Sequence, residues 1–222
     1  MLLTPYGLRV WLPILLLTIA AVVILVSIGW WPFALLAAIV GGALLSFFRD
    51  PIRTVPTDLP AGVMLSPADG MVTAVLDVDS HEATGGKPAK LVRIFLSVLN
   101  VHINRSPCVC QVVSLRHCPG KFLNAQTEES AAVNECNLIV LRLGTGETIG
   151  VRQVVGMIAR TIVCPLKPGD RLQRGQKFGM IKFGSTTELI LPRPGDVAVH
   201  VAKGDKVKAG LTRLATLPPP NR

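Results

Sequence analysis

The first fifty residues carry almost no charge. Before Asp50 the only charged side chains are Arg9 and Arg49. From Trp11 to Gly29 the chain is an uncharged run of mostly Leu, Ile, Val and Ala, about 28 Å long as a helix and so close to a bilayer's hydrocarbon thickness. Gly29-Trp30-Trp31-Pro32 then signals a turn, with two indoles suited to a membrane interface. Phe33 to Phe48 is a second, shorter apolar run. The sequence therefore predicts a membrane hairpin over residues 1–48, with helices at about 11–29 and 33–48. Its turn has no Lys or Arg, whereas Arg9, Arg49 and Arg53 flank the outer ends, so residues 49–222 are expected on the cytoplasmic side of the cell membrane. A cleaved secretion signal is the competing reading. The run is long for one, no small-x-small site follows, and a second apolar run comes at once.

Nearly all of the 23 basic and 14 acidic residues lie beyond the hairpin, and the balance is basic. Such a domain suits an anionic membrane or a nucleic acid. With aromatics at 5% and a single Tyr, base stacking has little to work with, and no nucleic-acid partner is expected. Charged residues at 17% against 50% hydrophobic exclude a disordered chain. Five irregularly spaced Cys argue for a reducing compartment rather than a disulfide scaffold.

After residue 50 short β-rich runs alternate with Gly/Pro punctuation: Met71–Val78, Lys90–Ser97, Val109–His117, Cys136–Leu143, Thr148–Val155, Thr161–Cys164 and Thr187–Leu191. Only Lys121–Asn134 has room for a short helix. Lys167–Gly175 is echoed 35 residues later by Ala202–Gly210, sharing Gly-Asp-basic-apolar-x-x-Gly. The first Gly suits a φ > 0 turn, Asp caps it, and the second Gly turns the chain again. That punctuation, with Pro67-Ala-Asp-Gly-Met-Val72 as an opening strand, predicts a mainly β fold: a compact β-sandwich or barrel of the lipoyl/biotinyl-like barrel-sandwich kind.

Several residues could carry chemistry. Cys108 and Cys110 fall on one face of a strand, and with His117 and Cys118 they offer soft metal ligands. The spacing lacks a Cys-x2-Cys pair, so buried thiols and no metal are expected. His81 and His200 read as incidental. His102 sits in the polar, turn-like Asn100–Pro107 stretch after a buried strand, a setting that opens strand ends onto clefts. Asp69, before Gly70, is a turn-capping Asp or a site residue. Gly184-Ser185-Thr186 is either a tight turn or a reactive bond. Gly leaves its carbonyl unhindered, and the next hydroxyl is the nearest nucleophile. Attack by Ser185 Oγ on the Gly184 carbonyl turns the amide into an ester. Elimination breaks the chain and leaves dehydroalanine, which hydrolyses to a pyruvoyl group.

Taken together, Phe47-Phe-Arg-Asp-Pro51, Ser66-Pro-Ala-Asp-Gly70, Asn100-Val-His-Ile-Asn-Arg-Ser-Pro107 and Phe183-Gly-Ser-Thr186 resemble the phosphatidylserine decarboxylase proenzymes of the short form. The resemblance implies self-cleavage between Gly184 and Ser185 into a β chain, 1–184, and an α chain, 185–222, held as a heterodimer, with higher oligomers left open. It implies a covalent pyruvoyl cofactor made from Ser185, which forms a Schiff base with phosphatidylserine and releases phosphatidylethanolamine and CO2. His102 and Asp69 match the positions assigned with the serine to a charge relay. His102 is then expected to move protons and Asp69 to orient it. An extra upstream His of the longer forms is absent from Ser97-Val-Leu-Asn100, and Phe183 stands where those forms have Leu. The alternative is a membrane-tethered lipoyl- or biotinyl-like carrier without enzymatic activity. It lacks an exposed Lys set between hydrophobic residues. A metallopeptidase of related fold would need His-x-His, which does not occur.

Overall fold

The computed structural model describes residues 2–124, 127–157, 161–182 and 185–220. The chain divides after Ile52 into an N-terminal unit and a β-rich unit beginning at Arg53.

In the first unit Thr4 caps a short 3-10 turn, so helix α1 (Leu8–Ser27) starts a few residues earlier than the apolar run suggests. Gly29, at φ 78°, makes the reversal into α2 (Trp31–Ser46). The segment Pro5–Ser27 has a mean hydropathy of 2.7, none of its apolar window is buried, and it is long enough to cross a membrane. The 16 residues of α2 reach only about 24 Å. The helices approach closely where Gly41 faces Thr18: a Cβ there would lie 2.3 Å from a Thr18 methyl. Small residues permit such approach. Thr4 N–H donates to Phe48 O (2.9 Å) and Asp50 N–H to Leu2 O (2.8 Å), closing the open end of the hairpin.

The second unit is mainly β, as its punctuation implies. In chain order its strands are β1 (Val63–Leu65), β2 (Gly70–His81), β3 (Lys87–Leu96), β4 (Ile103–Arg105) and β5 (Cys110–Cys118), then the short helix α3 (Glu128–Val133). They continue with β6 (Cys136–Arg142), β7 (Thr148–Val155), β8 (Thr161–Val163), β9 (Arg171–Leu172) and β10 (Lys177–Lys182). The last are β11 (Ser185–Pro192), β12 (Ala198–Val199), β13 (Lys206–Val207) and β14 (Arg213–Thr216). A curled eight-stranded sheet runs β13-β2-β3-β11-β7-β6-β5-β9, accompanied by two three-stranded sheets, β1-β14-β12 and β4-β10-β8. Inside, Val72, Ile94, Leu96, Ile139, Leu141, Val151, Leu189 and Leu191 form the main core. These residues alternate along their strands, as one buried sheet face requires. The opposite face carries a smaller cluster of Ala83, Ala89, Leu91, Leu138, Val140 and Ile190.

The sheet order is pseudo-symmetric, β13-β2-β3-β11 answering β9-β5-β6-β7, and the duplicated Gly-Asp motif marks the correspondence. Gly169 and Gly204 adopt φ 96° and 101°, and Gly175 and Gly210 both adopt 72°. Asp170 accepts from Lys167 N–H and Asp205 from Ala202 N–H, each at 2.8 Å. The two motifs supply β9 and β13, the sheet's two edges. Their backbone bonds repeat as well. Gly169 N–H meets Val112 O as Gly204 N–H meets Val72 O, and Gly175 N–H meets Ser106 O as Gly210 N–H meets Ser66 O, all at 2.8 Å. Ser66 Oγ donates to Ala68 O (2.6 Å) and Ser106 Oγ to Cys108 O (2.8 Å). Ser66-Pro67-Ala68-Asp69 and Ser106-Pro107-Cys108-Val109 are thus equivalent turns in two like halves.

Candidate active site

Ser185 opens β11, the central strand, flanked in register by Leu96 of β3 and Val155 of β7. Its hydroxyl is buried and has no hydrogen-bond partner among the described residues. A buried, unsatisfied hydroxyl costs about 1–3 kcal/mol, so its placement calls for an explanation. Gly184, the other half of the expected cleavage site, and Phe183 lie outside the described residues.

Ser185 shares its face of β11 with Thr187, by strand alternation. Thr187 Oγ1 accepts from Asn104 Nδ2 (3.1 Å), which also donates to Pro67 O (3.3 Å). Asn104 Oδ1 accepts from Gln153 Nε2 (2.8 Å), and Gln153 Oε1 from Asn137 Nδ2 (3.1 Å). Because Pro67 O can only accept, every amide along this line has one orientation. Asn104, Gln153 and Thr187 are fully buried and Asn137 nearly so. The line ties β4 to β11 beside the serine.

His102 stands two residues before Asn104, as Ser185 stands two before Thr187, and its own carbonyl accepts from Ile181 N–H (3.3 Å) at the end of β10. The imidazole is fully buried. Its Nδ1 lies 2.9 Å from Asn100 O. A carbonyl accepts only, so in the neutral ring Nδ1 carries the proton and Nε2 is the basic nitrogen.

Asp69 departs from expectation. Its carboxylate does not bond His102. It makes a two-pronged ion pair with Arg53, Oδ1 at 2.6 Å and Oδ2 at 2.7 Å, and accepts from Ala209 N–H at 2.8 Å. Arg53 also donates to Ala209 O (2.7 Å), and both charged side chains are largely buried. Asn100, in the same motif, meets His102 Nδ1, while Asp69 joins Arg53 to the Ala209 backbone. Arg53 and Asn100 were not singled out from sequence as site residues. The polar positions of the Asn100–Pro107 motif were the signal for Asn100, whereas Arg53 had none, since its partner lies sixteen residues away.

On the other face of β11, Glu188 is fully buried between Arg93 Nε (2.7 Å) and Arg152 Nη1 (3.1 Å). The four candidate metal ligands do not converge. Cys108 and Cys110 are buried together in the core, where the hydrogen bond that the Cys108 thiol donates to Cys110, with burial, pushes the Cys108 thiol well up. His117 and Cys118 end the same strand, about 26 Å farther on. Among the described residues no group of three or more His, Cys, Asp or Glu side chains is arranged to hold a metal.

The chain thus combines an apolar helix long enough to cross a membrane, a duplicated β-rich unit and a buried serine hydroxyl without a hydrogen-bond partner among the described residues. The sequence model of the phosphatidylserine decarboxylase family matches residues 41–215. The chain is 43% identical over 192 residues to a phosphatidylserine decarboxylase proenzyme of Ralstonia nicotianae, covering 86% of this chain and 85% of that one. It is 40% identical over 204 residues to one from Solidesulfovibrio magneticus, covering 92% of each. A Burkholderia mallei relative of the same name is 40% identical over 188 residues, covering 85% of this chain and 82% of its own. The chain belongs to the phosphatidylserine decarboxylase family, and it is a carboxy-lyase.

Proposed function

We propose that the chain cuts itself between Gly184 and Ser185 and then decarboxylates phosphatidylserine to phosphatidylethanolamine. The observation that carries this reading is the buried Ser185 hydroxyl, placed after Gly184 with no hydrogen-bond partner among the described residues. A hydroxyl with no competing bond is available to the adjacent carbonyl. Attack by Ser185 Oγ on the Gly184 carbonyl carbon transfers the acyl group from nitrogen to oxygen. His102 Nε2 takes the hydroxyl proton and returns it to the departing amine. A base then removes the Ser185 α-proton, the ester leaves as the Gly184 carboxylate, and dehydroalanine stays at the new N-terminus. Its enamine tautomerises to an imine, and water hydrolyses that to a ketone with loss of ammonia.

The resulting pyruvoyl group supplies an electron sink for the bond to CO2. The residues around Ser185 suit it, because Thr187 and Asn104 hold the strand that carries it. His102 is the proton carrier in this step too. Asp69 holds Arg53 and the Ala209 amide and so supports the fold around the site. The apolar segment Pro5–Ser27 attaches the enzyme to the cell membrane. Arg9, Arg49 and Arg53 at the hairpin's outer ends support, by the positive-inside rule, a β domain on the cytoplasmic side, with phosphatidylserine and other anionic lipids as its partners. Denaturing electrophoresis with mass measurement tests the reading: two fragments, 1–184 and 185–222, the smaller lacking a free α-amino group. Ser185→Ala should stay one chain with no decarboxylase activity, and an intact, active variant overturns it.

A further inference from the structure

Six large apolar side chains of the β domain are exposed among its described residues: Met71, Leu76, Val98, Leu99, Val109 and Met157. Four of them gather at one place. Met71 of β2 is the register partner of Phe95 in β3. The next residue of β3, Leu96, pairs with Ser185, and Ser185 pairs on its other side with Val155 of β7. Strands β3 and β7 end at those two partners, so Val98, Leu99 and Met157 follow just beyond them. Across the adjacent strands β2, β3, β11 and β7, Met71, Val98–Leu99 and Met157 therefore line the same end of the sheet, with Ser185 in their midst.

The turn holding Leu99 is built. Asn100 Oδ1 accepts from both Ser97 N–H and Ser97 Oγ–H at 2.9 Å, and Asn100 N–H donates to Ser97 O at 2.9 Å. Leu99 is 80% exposed on this turn, and the carbonyl of the same Asn100 holds His102 Nδ1. The apolar tip and the proposed proton carrier are thus parts of one small framework. A cation, Lys206, is the register partner of Met71. Apolar tips beside a lysine are the chemistry of a surface that seats in an anionic lipid interface.

We propose that this rim is a bilayer-contact surface. Met71, Val98, Leu99 and Met157 enter the boundary between headgroups and acyl chains, and so bring a lipid headgroup to Ser185 while its tails stay in the membrane. The inference rests on the reading that the substrate is phosphatidylserine. It explains how a fully buried serine meets a molecule that does not leave the bilayer.

The test uses the full chain reconstituted in phosphatidylcholine vesicles containing phosphatidylserine, and the same protein acting on monodisperse dicaproyl-phosphatidylserine. Met71→Asp combined with Met157→Asp should lower kcat/KM for the vesicle substrate by about tenfold, because charge is expelled from the interface. It should leave chain cleavage and turnover of the dicaproyl substrate unchanged. Equal losses on both substrates, or no loss on vesicles, would overturn the rim. A second readout needs no activity: Leu99→Trp, with Trp11→Phe, Trp30→Phe and Trp31→Phe, should be quenched by phosphatidylcholine brominated on its acyl chains. An unquenched indole, including one covered by another protein copy, also overturns it. If the wild type consumes neither substrate, the decarboxylase reading has failed, and quenching still reports separately on the rim.

Discussion

The two halves of the β domain share a backbone and differ in what they hold. In one, the Ser66–Asp69 turn ends in a buried carboxylate gripping Arg53 and the Ala209 amide. In the other, the equivalent Ser106–Val109 turn ends in Val109, which is 58% exposed. The glycine angles, Asp caps and strand-edge bonds are nearly superimposable, so they belong to the frame. Asp69 and its ion pair are what the frame was given in one half only. Repetition thus separates scaffold from site within a single chain.

The comparison is most easily broken at Asp69. Asp69→Ala strands the Arg53 guanidinium in a largely buried position, which should destabilise the domain by about 3–5 kcal/mol. Val109→Ala should change stability by less than about 0.5 kcal/mol. Urea midpoints would check both, and similar losses would mean the halves are not differentiated as described. In a double-mutant cycle Asp69 should couple strongly to Arg53 and weakly to His102. Next in size is Glu188→Gln. Glu188 joins Arg93, on the strand next to one half, to Arg152, on the strand next to the other, and its loss should cost about 3 kcal/mol.

Gln153→Leu should cost about 1–3 kcal/mol by removing the partner of the buried Asn104 Oδ1 and Asn137 Nδ2, and should slow Gly184–Ser185 cleavage in pulse–chase labelling. The frame itself should respond symmetrically. Gly169 and Gly204 have open space where a Cβ would go, so alanine meets only the cost of positive φ. Each substitution should lower stability by about 1 kcal/mol, and unequal losses would break the symmetry. The smallest effect is expected at His81. Burial lowers its pKa below 6.5, and its Nδ1 accepts from Ala83 N–H at 3.1 Å, which requires the neutral ring. Its contribution is whole above pH 6.5 and lost as pH falls through the folded-state value. Thermal melts at pH 7 and pH 5 should show a shallower acid loss for His81→Asn.

Much of this was legible where the signal was local. The apolar run before Asp50 announces α1, alternation and punctuation announce the long strands, and Gly-Asp-basic-apolar-x-x-Gly announces the two edges. The short inner strands β4 and β10 were not legible. Gly179 interrupts the apolar run of β10, and it is there because a Cβ would strike Val163 O at 2.4 Å, a contact set by the fold. The Gly-Ser step and the His102 motif declare their chemistry in adjacent residues. Asp69 does not: an Asp-Gly pair reads as a turn or a relay, and its partner, Arg53, lies sixteen residues earlier, at the start of the β-rich unit. Alternation put Cys108 and Cys110 together correctly, but only strand length shows that His117 and Cys118 lie elsewhere.

The weaving of β11 through the sheet has a consequence for the life history of the molecule. Residues 185–222 supply the central strand, one edge strand and two strands of a side sheet, so a cut before Ser185 cannot free the small fragment without dismantling the core. The precursor folds as one chain, in a reaction independent of concentration. Once cut as proposed, a molecule that unfolds is two chains, and regaining the fold is then a bimolecular encounter that dilution suppresses. Cleavage would in this sense act as a ratchet: the fold is assembled once, from the uncut chain, and persists afterwards by the slowness of its unfolding.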